Sequence, residues 1–176
     1  MKYFLSASSV LALLFLSLSS IAQVDQPKPS PLDSVMQKVG KLEVKIVYSA
    51  PSVKGRTIGK DLEPMQGKVW RTGANEATVF EVDRDVKIDG KDLKKGKYGL
   101  FTIDEGSEFV VIFNKTWKQW GAFKYQESED ALRVKVKKGK ANPFAEKMTF
   151  KIDDKGLVTL LWGDMMVDFK VKDRLL

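Results

Sequence analysis

Ten residues, Val-Trp-Arg-Thr-Gly-Ala-Asn-Glu-Ala-Thr at Val69 to Thr78, gather an indole, a guanidinium, an amide and a carboxylate around one glycine. An arginine fork of this kind grips a carboxylate, a phosphate or sugar hydroxyls with two parallel hydrogen bonds. Beside Glu76, Arg71 has a second reading, a structural ion pair tying its segment to the rest of the fold. Gly73 is expected to take a positive φ that lets the chain reverse, bringing Arg71 near Asn75 or Glu76. Arg56, earlier in the same segment, and Trp70 complete this candidate polar pocket.

A second group follows at Asn114-Lys115-Thr116-Trp117-Lys118-Gln119-Trp120. Two tryptophans three residues apart can form a platform for a pyranose ring, because an indole face matches the apolar face of a sugar. The alternative is that Trp117 and Trp120 plug the end of a β-structure. Trp162, inside an apolar run, reads as core. The candidate ligand-binding residues are therefore Arg56, Trp70, Arg71, Asn75, Glu76, Asn114, Trp117 and Trp120.

The chain contains no cysteine and no histidine. Ser-His-Asp and Cys-His nucleophile systems cannot be built, nor can transition-metal sites of the usual nitrogen or sulfur type. What remains for catalysis is carboxylates, Lys, Arg and Tyr, with Glu76 the carboxylate nearest the candidate site. Asp83, Asp85, Asp89 and Asp92 cluster, but their spacing does not fit a calcium loop. No cofactor and no metal are expected.

The elements that must position these side chains are strands. Leu42, Val44, Ile46 and Tyr48 alternate with polar residues, so Lys41 to Ser49 reads as a half-buried strand. Gly96 to Asp104 is another, and the continuous run Glu108 to Asn114 reads as buried on both faces. Alternation returns at Leu132 to Val136 and Met148 to Ile152. Asp153 to Gly156 is a hairpin turn, and Leu157 to Trp162 and Met166 to Val171 follow. Roughly nine strands predict an all-β fold, an antiparallel sandwich with little helix. Only Lys115 to Gly121 and Gln126 to Ala131 carry a short helical or loop pattern. Between Ser49 and Thr78 lies an insertion of about 28 residues, too long for a structureless hairpin and expected to form an organised flap.

The first 22 residues, with Lys2, an apolar run from Val10 to Leu18 and Ser20-Ile21-Ala22, read as a cleavable secretory signal, so export to the periplasm or beyond is expected. A Pro-rich linker at residues 23–34 and one domain at residues 35–176 complete the expected organisation. Asp33-Ser34-Val35 also fits an O-glycosylation context, against the plainer reading of a linker end. Without Lys2 the chain carries 29 basic and 23 acidic side chains, a formal +6. That charge suits an anionic envelope component or glycan, or simply solubilises outward strand faces. Export argues against nucleic acid as partner, and the apolar run is too short for a membrane span.

The block GKVWRTGANEAT at Gly67 to Thr78, with YSAP at Tyr48 to Pro51, VKGR at Val53 to Arg56, LKKGKYGLFTI at Leu93 to Ile103 and VVIFNK at Val110 to Lys115, resembles domain of unknown function family 2911. The likeness runs from about Val35 to Val171. It implies an exported bacterial protein, and that Arg56, Trp70, Arg71, Gly73, Asn75, Glu76, Thr78 and Asn114 belong to the family pattern. Two departures stand out: Ile58 passes directly to Gly59, and Pro64-Met65-Gln66-Gly67 replaces an aromatic motif. Three functional readings follow. They are a non-enzymatic binding module for a polar or glycan-like ligand, a carboxylate-dependent enzyme on a glycan or envelope polymer, and a structural or assembly partner in the envelope.

Overall fold

The computed structural model describes residues 29–175; the expected signal segment and the first half of the linker lie outside them. The strands are β1 (Leu32–Val39), β2 (Leu42–Ser49), β3 (Val69–Trp70), β4 (Ala74–Val82), β5 (Val86–Ile88), β6 (Lys91–Leu93), β7 (Gly96–Asp104), β8 (Glu108–Asn114), β9 (Asp130–Ile152) and β10 (Leu157–Asp173). They form one antiparallel sheet in the order β1-β2-β4-β7-β8-β9-β10-β5-β6, with β3 on the free stretch of the β7 edge. The all-β architecture expected from the alternation is what the chain adopts. It has ten strands where about nine were expected, because β1, β3 and β6 add to the count while the four short runs of the last third merge into two long strands.

The sheet doubles over so that its two ends face each other across one core. Phe113 of β8 and Phe80 of β4 meet Phe169 of β10 edge to face, and Tyr48 of β2 meets Phe150 of β9 with ring centroids 5.0 Å apart. Edge-to-face packing sets the positive ring edge against the negative face of its neighbour and adds to the gain from burial. The bend is made in β9 and β10. The first part of β9 pairs with β8, the rest pairs with β10, and register shifts around Gly163 mark where the ladder kinks.

β8 is buried on both faces from Phe109 to Asn114, as its continuous apolar run requires. Phe109, Val111 and Phe113 point to the main core; Val110 and Ile112, with Phe101 and Ala77, form a second, smaller cluster on the other face. Since β8 lies inside the sheet, that outer cluster needs a cover. The cover is the loop between β8 and β9, whose Ala122 and Tyr125 pack on it. The two short helical patterns resolve accordingly: Lys115 to Gly121 is loop, and the second contributes a single 3-10 turn at Glu127–Glu129.

The insertion after β2 is an organised flap. Val53 N–H donates to Glu146 O and Met148 N–H to Pro51 O, which zips the start of the flap onto β9. Its end becomes β3, and the returning strand β4 begins at Ala74, four residues earlier than the expected Thr78. β1 starts at Leu32, inside the stretch expected to be linker, and pairs with β2 along its whole length.

Candidate functional site

One edge of β7 pairs with β8, and the other carries two partners in succession. Thr78 to Val82 of β4 pair with Gly96 to Leu100, and Val69-Trp70 of β3 pair with Thr102-Ile103. Arg71, Thr72 and Gly73 are the chain that loops out between these two pairings. Trp70 is buried, and its indole N–H donates to Gly73 O at 3.1 Å across the loop. Thr78 Oγ1 donates to Thr72 O at 2.7 Å, and the Thr72 and Thr102 hydroxyls lie 3.2 Å apart.

The expected role of Gly73 is corrected here. The positive φ values fall on Thr72 (+53°) and Asn75 (+57°), not on Gly73. Gly73 is required for space, since a Cβ there would sit 2.9 Å from Thr78 Oγ1 and 3.1 Å from Ser49 O. A β-branched residue in the left-handed region is strained, and Thr72 persists there because two threonine side chains and the surrounding backbone fix it. Arg71 lines a cleft with the flap residues, while Asn75 and Glu76 line a different hollow.

Arg71 and Glu76 therefore do not pair. Arg71 forms no ion pair with any carboxylate among the described residues, and its buried Nε has no hydrogen-bond acceptor. Burial pushes the guanidinium below its ordinary pKa, and the charge of Glu63 opposes that shift. An arginine stays charged under any such shift, so the result is a partly desolvated cation with spare donors.

That cation lines a cleft of about 340 Å³ together with Arg56, Asp61, Glu63, Trp70 and Trp162. Arg56 is held by its own loop, with Nε donating to Val53 O at 3.1 Å and Nη2 to Ser52 O at 2.8 Å. Each carboxylate also fixes a turn of the flap: Asp61 accepts from Thr57 N–H at 2.9 Å and Glu63 from Met65 N–H at 2.7 Å. Trp162 anchors the floor by donating its indole N–H to Glu63 O at 2.8 Å. It is core, as expected, and also the link between core and cleft. Asp61 and Glu63 escaped sequence reasoning because nothing in Lys-Asp-Leu-Glu-Pro marks a cleft wall; only the path of the flap brings them opposite Arg71.

The other predicted site residues are elsewhere. Asn75 and Glu76 border a separate hollow beside Tyr48 and Ser49, where Asn75 Nδ2 donates to Ser30 O at 3.2 Å. Asn114 is fully buried in a closed network, its Nδ2 donating to Gln126 O and Asp130 Oδ1 and its Oδ1 accepting from Thr116 N–H. Trp117 and Trp120 lie on the β8–β9 loop and do not wall the arginine cleft. Neither plugs the core: both are exposed. Among the described residues no group of acidic side chains is placed to hold a metal. Asp83 and Asp89 instead accept from the Glu43 and Lys170 N–H groups, Asp85 pairs with Lys94, and Arg174 lies between Asp85 and Asp92.

Fold and site together define an all-β protein whose β2–β4 flap closes a small polar cleft over the mouth of the core. The chain belongs to the family described as Protein of unknown function (DUF2911), whose model matches residues 30–171, in agreement with the resemblance carried by the WRTGANEAT block. Comparisons with curated proteins and with solved structures return no match. Among the described residues, no helix is long and apolar enough to cross a membrane.

Proposed function

We propose that this protein is an exported, non-enzymatic binding module whose flap cleft takes a small polar ligand bearing one anionic group and several hydroxyls, such as an acidic sugar unit. The observation that carries this reading is the state of Arg71: a partly buried guanidinium facing the cleft, with Nε unsatisfied and no carboxylate in ion-pair range among the described residues. A ligand carboxylate or phosphate in the cleft would supply the counter-charge that the guanidinium lacks. Asp61 and Glu63 in the same cleft offer acceptors for hydroxyl groups, and the volume lies in the range of small-ligand sites. The amino-terminal segment supports export.

Titration calorimetry with a panel of uronic acids and sugar phosphates tests the reading. The parent protein binds at least one, and Arg71→Met weakens that binding about tenfold or more while the thermal midpoint stays within a few degrees. A collapse of stability in Arg71→Met, with no ligand found for the folded parent, would assign Arg71 to the architecture instead.

A further inference from the structure

The loop between β8 and β9 sorts its side chains by threes. Gln119, Ala122 and Tyr125 point inward: Gln119 is buried and bonds Thr116 O and Lys124 N–H, while Ala122 and Tyr125 cover the outer cluster. Trp117, Trp120 and Phe123 are 36%, 58% and 86% exposed. Nothing in the fold requires these three rings outside, because the cluster beneath is already covered by the inward set.

The exposed rings are interleaved with Lys115, Lys118 and Lys124, all exposed and none in an ion pair among the described residues. Lys97 adds a fourth cation 5.5 Å from the Trp117 ring centroid, while it also reaches Glu81. The nearby Glu127 is engaged by Arg133 at 3.1 Å. Glu76 stands at the base of the loop, where its backbone bridges Trp120.

The loop is held in this shape rather than merely hanging free. Ala77 N–H donates to Gln119 O, Gly121 N–H donates to Asn75 O, and Gly121 sits at φ +62° where the chain turns Phe123 outward. A rigid set of exposed aromatic tips ringed by lysines has the composition of a membrane-interface anchor. Indole and phenyl rings settle at the headgroup level, and the ammonium groups stay in the plane of the anionic headgroups.

From this geometry we infer that Trp117, Trp120 and Phe123, with Lys115, Lys118 and Lys124, form a docking surface for an anionic phospholipid bilayer. The protein lies on the membrane through this loop and does not span it. The lysines favour lipid over a neutral partner surface, and the outward aromatic side chains, set on a turn, favour shallow insertion over flat stacking on a sugar. This surface is separate from the arginine cleft and does not depend on a ligand there.

Tryptophan quenching by brominated phospholipids reads this loop directly in the full chain, because Trp70 and Trp162 are buried in the core. Vesicles containing phosphatidylglycerol are expected to quench and blue-shift the emission, and vesicles of phosphatidylcholine alone much less. Replacing Trp117 and Trp120 with Ser removes that quenching. Phe123→Ser, which leaves both reporters in place, weakens the vesicle-dependent shift about tenfold. Each of Lys115→Gln, Lys118→Gln and Lys124→Gln weakens it about fivefold at low salt, and rising salt does the same to the parent. Four outcomes overturn the inference: no quenching by anionic vesicles, quenching unchanged in Phe123→Ser, a shift produced by soluble polyuronate but not by vesicles, or a dimer that buries Trp120 without lipid.

Discussion

The indole N–H of Trp162, in the middle of β10, donates to the carbonyl of Glu63, in the middle of the flap, at 2.8 Å. One ring thereby belongs to the packed interior and to the cleft wall at once. Trp162→Phe keeps most of the apolar contact and removes the donor, leaving a partly buried carbonyl without its partner. The expected loss is about 1–2 kcal/mol in urea unfolding. The same change loosens the flap, so protease cleavage between Thr57 and Gly67 is expected to rise before global unfolding does.

Gly73 and Gly67 separate two reasons for a glycine within one segment. Gly67 has φ +72° with open space where a Cβ would go, whereas Gly73 has ordinary φ and two polar oxygens close by. Gly67→Ala is expected to cost about 1 kcal/mol from backbone strain alone. Gly73→Ala must push Thr78 Oγ1 from its bond to Thr72 and costs about 1–3 kcal/mol. Adding Thr78→Val to Gly73→Ala should change the cost non-additively, a coupling that a double-mutant cycle of thermal melts detects.

The same glycine shows what the residues themselves could and could not tell. β7 and β8 are readable because each is a single run of apolar residues framed by Gly and Asp turns, and their bounds in the structure match the run. β9 and β10 are not: Lys138 to Lys147 carries no alternation, since those residues bend across the fold with several exposed in succession. β1 is missed because its burial alternates while its hydropathy does not: apolar Leu32 and Met36 sit on the exposed face and polar Asp33 and Gln37 on the half-buried one. The site fails differently. The loop that carries Arg71 includes Thr72 at positive φ, and Thr72 is bonded there by Thr78 and Thr102, from β4 and β7. Such information is tertiary, and no local pattern carries it.

Asn114 tests whether a residue of the family pattern serves the fold rather than a ligand. Its Nδ2 donates to Asp130 Oδ1 at 2.7 Å in a fully buried position. Asn114→Asp replaces that donor with a second carboxylate facing the first, and the expected destabilisation at neutral pH is about 3 kcal/mol or more. Acid protonates one of the two and restores a shared hydrogen bond, so part of the loss should return between neutral pH and pH ~4.5, as read from urea midpoints. A ligand-binding Asn would show neither the large loss nor its recovery in acid.

Tyr125 makes the opposite pH prediction. Its hydroxyl donates to Asp130 Oδ2 at 2.8 Å and accepts from Arg133 Nη2 at 2.6 Å. Burial first, then the bond to Asp130, pushes the phenol up to about 12, while Arg133 opposes them. A group that keeps its proton longer in the folded state stabilises the fold fully below the unfolded value of 10, and that contribution disappears as pH rises through about 12. Stability is therefore expected to fall across this alkaline window. Tyr125→Phe lowers stability at neutral pH by about 1 kcal/mol, because Asp130 and Arg133 lose a shared partner. It also flattens the alkaline fall without abolishing it, since Tyr48 and Tyr98 are shifted in the same direction by burial. Urea midpoints of parent and Tyr125→Phe should converge as pH rises from 9 to 12; curves that stay parallel would show that the phenol titrates alike in both states.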